Sequence, residues 1–247
     1  MEQEPDYDFA DMHIHILPEI DDGAESMDMA LAMLRIAAQQ HIGTMIATPH
    51  YKGGHHNASP ETIGRRIGEV SRAAKDAGIK VPDICPGNEI LYDSSVAREL
   101  RDGKIRTMAG SDFVLIEFRP WEEFSYIREG LRSLFYEGYQ PILAHCERYN
   151  CLVKDCALAE ELHRNGVLLQ VNASSVLPKL FEPIPKFTGR LLESRMVDFI
   201  GTDAHRDRER APLMLKTWRY LVKKYDPDYV REIMRENTHR IIEEGHG

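Results

Sequence analysis

Seven short apolar runs, each followed by a segment of helical periodicity, constrain the fold of this chain more than any other feature. They are ADMHIHI, TMIATPHY, Ile79 to Cys85, Phe113 to Phe118, Pro141 to His145, VLLQVNA and Val197 to Ile200. Strand-length runs alternating with helices form parallel sheets. Ser26 reads as the N-cap of a helix to about Gln40, and Ser59 with Pro60 opens another to about Ala77. Further helices are expected over Ser95 to Arg101, Glu122 to Glu137, Lys154 to Asn165, Lys186 to Glu193, Pro212 to Lys224 and Pro227 to Glu244, with a proline-rich loop over Leu177 to Pro185. At 247 residues, without a repeat or a break in composition, the pattern predicts an α/β chain, one domain over 1–247, whose parallel sheet closes as a barrel.

The polar residues fall in phase with these strands. In ADMHIHI, Asp11, His13 and His15 alternate with Met12, Ile14 and Ile16, so an extended strand puts the three polar groups on one face. His50, Glu89, Glu117, His145, Asp203 and His205 sit at or just past the ends of five further strands. In a parallel barrel those ends form the mouth where catalytic groups converge. With one acid from the pair Asp21–Asp22 in the first loop, the set comes to nine candidate ligands, five histidines and four carboxylates. That number suits two or three ions. A mixed imidazole and carboxylate shell fits manganese, zinc or iron better than magnesium or calcium.

Charge narrows the chemistry. The chain carries a net charge of -9, which argues against nucleic acid or an anionic membrane as a partner. An anion must therefore meet positive charge supplied locally. Three divalent ions against four carboxylates leave about two positive charges, or about one with a bridging hydroxide, which suits a phosphate monoester dianion. Metal-bound water is then a ready nucleophile at neutral pH. Arg148, three residues after His145, and Arg210, five after His205, are placed to bind phosphoryl oxygens, and Asp11 to steady the histidines from behind. No run approaches the roughly 20 apolar residues of a membrane span, and the acidic start MEQEPDYDFA is unlike a signal peptide, so a cytoplasmic location is expected. The four cysteines lack the C-x-x-C spacing of a structural zinc site and are read as reduced thiols. His145-Cys146 is not a cysteine-phosphatase loop, because the position six residues after the cysteine is Leu152, not arginine.

The motifs DMHIH, IDDG, TPH, GNEI, IEF, AHCER and GTDAH occur in the order of the PHP (polymerase and histidinol phosphatase) superfamily. Within it, LPEIDDGAESMDMALAMLRIAAQQHIGTMIATPHY resembles the capsule-type bacterial tyrosine-protein phosphatases of the CpsB/YwqE branch, and the likeness runs from Asp11 to about Ile242. The resemblance implies a distorted (β/α)7 TIM-like barrel, the PHP fold, with three divalent ions, manganese foremost and iron or zinc as alternatives. Carried over by motif, His13, His15, Glu89 and Asp203 hold one ion, Glu89 bridges to a second held with Glu117 and His145, and Asp22, His50 and His205 hold the third. The choice of Asp22 over Asp21 comes from that motif, and Asp21 stays unassigned. Arg148 matches the arginine after the fifth strand. The implied activity is hydrolysis of phosphotyrosine on a bacterial tyrosine autokinase that controls capsule and exopolysaccharide synthesis.

The alternative within the class is a small-molecule phosphomonoesterase such as histidinol-phosphate phosphatase. A regulatory module that keeps only the fold predicts gaps among the nine ligand positions, and there are none. A nuclease is disfavoured by the acidic charge. His55 and His56 in the loop KGGHHNASP are expected to be solvent-exposed, and His41, His163, His239 and His246 to have structural or surface roles.

Overall fold

The computed structural model describes residues 4–178 and 183–246. Its strands are all parallel and fall into two sheets. One has three strands, in the order β1 (Phe9–Ile14), β2 (Ile42–Ala47) and β4 (Asp83–Pro86). The other has six: β3 (His50–Lys52), β5 (Glu89–Leu91), β6 (Phe113–Glu117), β7 (Gln140–Leu143), β8 (Leu168–Asn172) and β9 (Phe199–Gly201).

The expected single closed sheet is thus not what the strand pairing shows, and the sequence explains where it divides. One expected strand is broken in two, and another is shortened and followed by a strand that was not expected. TMIATPHY is interrupted at Thr48 and Pro49, which separate β2 from β3. The third run, expected over Ile79 to Cys85, starts late, after Pro82, as β4, and Gly87 and Asn88 separate it from the unexpected β5. Proline has no N–H to donate to a ladder, so strands start or stop at it. Side chains and isolated bonds bridge the breaks: Thr48 N–H donates to Ile14 O (3.0 Å), Glu89 N–H to Pro49 O (3.2 Å), and Asn88 Nδ2 to the same carbonyl (2.8 Å). On the far side, Asp203 N–H donates to His13 O (2.8 Å) and His15 N–H to Ala204 O (2.9 Å), tying the end of β1 to the chain after β9.

Helices flank the strands largely as expected. α1 (Met27–Gln39) is capped by Ser26, whose hydroxyl accepts from Met29 N, and buries Ala30, Met33, Leu34 and Ala37. α2 (Pro60–Asp76) is capped by Ser59 in the same way, with Pro60 in its first turn. α3 (Val96–Arg101) and α4 (Phe124–Tyr136) follow. The helix expected over Lys154 to Asn165 is α6 (Cys156–Arg164), and a short unexpected α5 (Asn150–Lys154) precedes it; Asp155 between them is extended and its side chain accepts from Ala157 N. α7 (Ala173–Val176) precedes the expected proline-rich loop, part of which, 179–182, lies outside the described residues; α8 (Pro183–Glu193) starts within its last part, earlier than expected. α9 (Leu215–Leu221) begins three residues past Pro212. The terminal helix is α10 (Pro227–Arg231), a π-helical turn over Glu232–Glu236 and α11 (Asn237–Gly245).

β1 is buried along its whole length. Its register shifts between Asp11 and Ile14, so its apolar residues part company. Met12 packs with Ile46, Leu115, Ile142 and Phe199 in a small inner cluster, and Ile14 joins the larger core against the helices. The polar ends of the strands lie above that inner cluster.

Candidate metal centre

The ends of β1, β3, β5, β6, β7 and β9 deliver the side chains singled out in the sequence. His13 lies inside β1 and His15 just after it; His50 and Glu89 open β3 and β5, and Glu117 ends β6. His145 follows β7 with φ 32° and Asp203 follows β9 with φ 52°, both left-handed conformations rare for residues with a Cβ. Such backbone costs on the order of 1–3 kcal/mol and persists where the surroundings impose it. Here it turns both side chains back over the strand ends. Gly201 lets β9 lie close to β1, since a Cβ there would stand 2.8 Å from His13 Cβ.

Glu89 is the hub. Its Oε2 is 3.2 Å from His13 Nε2, 3.1 Å from His15 Nε2 and 3.1 Å from His50 Nδ1, while Oε1 is 2.7 Å from His145 Nε2. Asp203 Oδ1 is 3.6 Å from His13 Nε2, 3.7 Å from His15 Nε2 and 3.6 Å from His205 Nδ1. Glu117 reaches His50 Nδ1 (3.4 Å) and His145 Nε2 (3.7 Å), and Asp22 Oδ1 reaches His50 Nε2 (3.3 Å) and His205 Nε2 (3.6 Å). Ligand atoms converge in three groups: His13, His15, Glu89 and Asp203; His15, Asp22, His50 and His205; and His50, Glu89 and Glu117. These groups hold eight of the nine expected ligands; the ninth, His145, is in none of them and touches the cluster through Glu89 Oε1 at 2.7 Å. His15 and His50 each stand between two of these groups, which the motif assignment did not foresee.

The protonation pattern fits cations. His13 Nδ1 lies 3.1 Å from Gln170 Oε1, and that oxygen is identified by the His145 backbone N–H that donates to it at 2.7 Å. An amide oxygen only accepts, so His13 carries its proton on Nδ1. His15 Nδ1 is 2.7 Å from the Asp21 carboxylate and carries its proton there too. Both Nε2 atoms then face the centre, only 3.3 Å apart. Among the described residues, Glu89 Oε2, His50 Nδ1 and His205 Nε2 are buried with no hydrogen-bond partner. Converging buried acceptors without donors are costly unless a cation lies among them.

Electrostatics say the same. Burial alone would lower the His15 pKa, yet its bonds to Asp21 and Glu89 push it up to about 10. Burial likewise acts against His13, which Glu89 and Asp203 raise above its ordinary value. Burial acts to raise Glu89, but the histidines around it, His13 first, hold it well below the usual carboxylate range. His205 goes the other way, lowered to about 4 by burial and by His15. The carboxylates thus demand positive charge at the very point where the imidazole Nε2 edges face.

Several supporting residues escaped the sequence reading. Gln170, fully buried, bonds His13 and His145 and donates from Nε2 to Asn172 Oδ1 (2.9 Å); Asn172 Nδ2 in turn donates to Asp203 Oδ2 (2.9 Å). The signal was a lone amide inside the apolar run VLLQVN. Asp21 is the carboxylate behind His15, and it also accepts from the backbone N–H of Gly23 (2.9 Å) and His50 (3.0 Å). Arg206 holds the loop that carries Asp22, donating to Asp22 O (2.9 Å) and to Gly23 O and pairing with Glu25 (3.0 Å).

Asp11 differs from expectation. It accepts from Thr202 N (2.9 Å), Thr202 Oγ1 (2.5 Å) and His13 N (3.3 Å), so it fixes backbone next to two ligands and touches neither imidazole. Burial, partly offset by Thr202, raises its pKa to about 6. It is fully buried and meets no reacting position. Arg148 and Arg210 do reach the centre: Arg148 Nη2 is 2.5 Å from Asp203 Oδ2 and Arg210 Nη2 2.8 Å from Asp203 Oδ1. Both are part-exposed at its rim. His55 and His56 are exposed, and all four cysteines are free.

A cleft of about 380 Å³ opens beside Asp203, between Arg148, Asn172, Arg210 and α9. A smaller hollow of about 190 Å³ lies beside β3 and β6, against Lys52, Tyr92, Phe118 and Tyr126. A further cleft, about 450 Å³, lies between α4 and α6 and holds none of the candidate ligands.

The sequence model of the family "Capsular polysaccharide synthesis, CpsB/CapC" matches residues 9–243. The chain belongs to the CpsB/CapC family. It is 30% identical over 237 residues to the tyrosine-protein phosphatase CpsB of Streptococcus pneumoniae, covering 94% of this chain and 97% of that one. It is 31% identical over 210 residues to the putative tyrosine-protein phosphatase CapC of Staphylococcus aureus, covering 83% and 80%. Its fold superposes with a TM-score of 0.86 on a crystal structure from the work on YwqE of Bacillus subtilis and CpsB of S. pneumoniae, described as unique metal-dependent tyrosine phosphatases. Identity there is 26%, over 95% of this chain and 94% of the other. Among the described residues, no helix of this family member is long and apolar enough to cross a membrane.

Proposed function

We propose that this protein is a metal-dependent protein-tyrosine phosphatase, a phosphoric monoester hydrolase built as one domain on a distorted (β/α)7 barrel of the PHP kind. The observation that carries the reading is the single constellation of eight converging ligand side chains, with His145 against its Glu89 and two arginines bonded to its Asp203 rim. The named activity of the CpsB and YwqE relatives agrees with it. We further propose three divalent ions, manganese foremost, held by His13, His15, Glu89 and Asp203, by Glu89, Glu117 and His145, and by Asp22, His50 and His205. His15 and His50 border the neighbouring groups. When bound, such ions would supply Lewis acidity toward phosphoryl oxygens and lower the pKa of water.

The chain's own residues do the rest. Gln170 and Asp21 hold His13 and His15 with Nε2 inward. Arg148 and Arg210, already fixed at the rim, offer N–H donors to phosphoryl oxygens and stabilise the charge that grows there as the ester bond to the aryl oxygen breaks. Net hydrolysis adds water, leaving inorganic phosphate and the tyrosine hydroxyl. The substrate is proposed to be phosphotyrosine on a bacterial tyrosine autokinase, met in the cytoplasm. The open cleft beside Asp203 suits a peptide better than a small metabolite.

The test is a panel of phosphotyrosine peptide, phosphoserine peptide and histidinol phosphate under manganese. Phosphotyrosine is expected to give the highest kcat/KM. A preference for histidinol phosphate would overturn the protein-substrate reading.

A further inference from the structure

The cleft beside Asp203 is unusual in its charge. Arg148, Arg208, Arg210 and Lys216 line it, against a single carboxylate, Asp203. Both Asp203 oxygens are taken, one by Arg148 and Asn172, the other by Arg210. Arg208 and Lys216 form no ion pair among the described residues, although Arg206, two positions earlier, is bonded to two carbonyls and to Glu25. The chain as a whole has 40 acidic residues against 31 lysines and arginines, so four cations against one carboxylate among the described lining residues are a local exception. Backbone geometry holds it in place: His205 N–H donates to Arg210 O (2.9 Å), and Thr217, next to Lys216, is buried with its hydroxyl on Ala173 O (2.8 Å). At the edge, Leu213 is 51% exposed and offers an apolar contact.

A phosphoryl group bonded by Arg148 and Arg210 would occupy only the end of this cleft nearest the metal ligands. We propose that Arg208 and Lys216 form a second anion subsite that receives an anionic side chain flanking the phosphotyrosine on the same peptide. The proposal rests on the phosphotyrosine reading above and gives it a sequence preference. The ligand chemistry is an oxyanion, carboxylate or phosphoester, in partly solvated surroundings. Two such pairs at an exposed site correspond to about a tenfold preference, and it shrinks as salt rises.

The experiment compares phosphotyrosine peptides that differ only at flanking positions, carrying glutamate, phosphoserine or glutamine. It measures kcat/KM under manganese, and binding of the matching non-hydrolysable phosphonate peptides by fluorescence anisotropy. The wild type should prefer the glutamate peptide over the glutamine peptide by about tenfold. A larger factor for the phosphoserine peptide would assign the subsite to phosphoester, and equal or smaller factors to carboxylate. In the double variant Arg208→Ala, Lys216→Ala the preference ratio should fall to near one. Arg208→Glu should reverse it toward a lysine-flanked peptide. A wild type indifferent to the flanks, or a ratio unaltered in both variants, overturns the subsite. If no peptide turns over but the binding ratio is present and lost in the variants, the phosphatase reading fails and the subsite stands.

Discussion

Gln170→Leu removes a side chain that touches no ion and no substrate, yet it should weaken metal binding. Gln170 is fully buried; its Oε1 accepts from His13 Nδ1 (3.1 Å) and from the His145 backbone N–H (2.7 Å), and its Nε2 holds Asn172, the partner of Asp203. Leucine matches the volume and leaves those two donors and the Asn172 oxygen unpaired. Each unsatisfied buried group costs about 1–3 kcal/mol. Part of that cost falls on the fold, and part on the metal-bound state, because the His13 proton is no longer pinned to Nδ1. Removing the outer partner of a ligating histidine typically weakens metal affinity about 10–100-fold, and that range is expected here. Gln170→Glu restores the acceptor and should recover most of the loss. The assay is competition with a chelating dye, alongside kcat at saturating metal, which should suffer less than affinity. Unaltered affinity in Gln170→Leu would refute the account of how His13 is oriented.

Arg148→Ala should keep bound metal, since Arg210 and Asn172 still hold Asp203, and lose about 100-fold or more in turnover; His13→Ala should lose metal as measured by elemental analysis. Equal metal loss in both would contradict the role given to Arg148. The pH dependence follows from His15, whose folded pKa of about 10 stands above the ordinary 6.5. Its contribution to metal-free stability is fully present below pH 6.5 and lost as pH rises through about 10, so the melting temperature of chelated protein should fall over that window. Metal must displace that proton; affinity should rise with pH, and titration calorimetry in buffers of different ionisation heat should show proton release at pH 8. A pH-independent affinity between pH 7 and 9 would refute this.

Most of the site could be read from the sequence because parallel strands place their C-terminal ends in register, so polar residues ending successive apolar runs meet. His13, His50, Glu89, Glu117, His145 and Asp203 were found that way. The residues that orient them were harder to see, since their importance lies in a partner distant in sequence. Gln170 looks like one polar residue in a strand until β8 is set beside β1 and β7, and the histidine partner among Asp11, Asp21 and Asp22 is decided by loop geometry. Asp11, which alternates with the histidines, went to the Thr202 backbone because the β1 register shifts there. The sheet was also less regular than its pattern, because Pro49, Pro82 and Gly87 interrupt strands whose apolar residues run on past them.

The central claim is that the converging histidines and carboxylates bind metal and that the reaction depends on it. Its most direct measurement is phosphotyrosine-peptide hydrolysis by protein stripped with chelator and then titrated with manganese, with metal content determined on the same samples. The account predicts loss of activity on stripping and recovery in step with the ions bound, up to three per chain. Full activity in protein shown to be free of metal would contradict it.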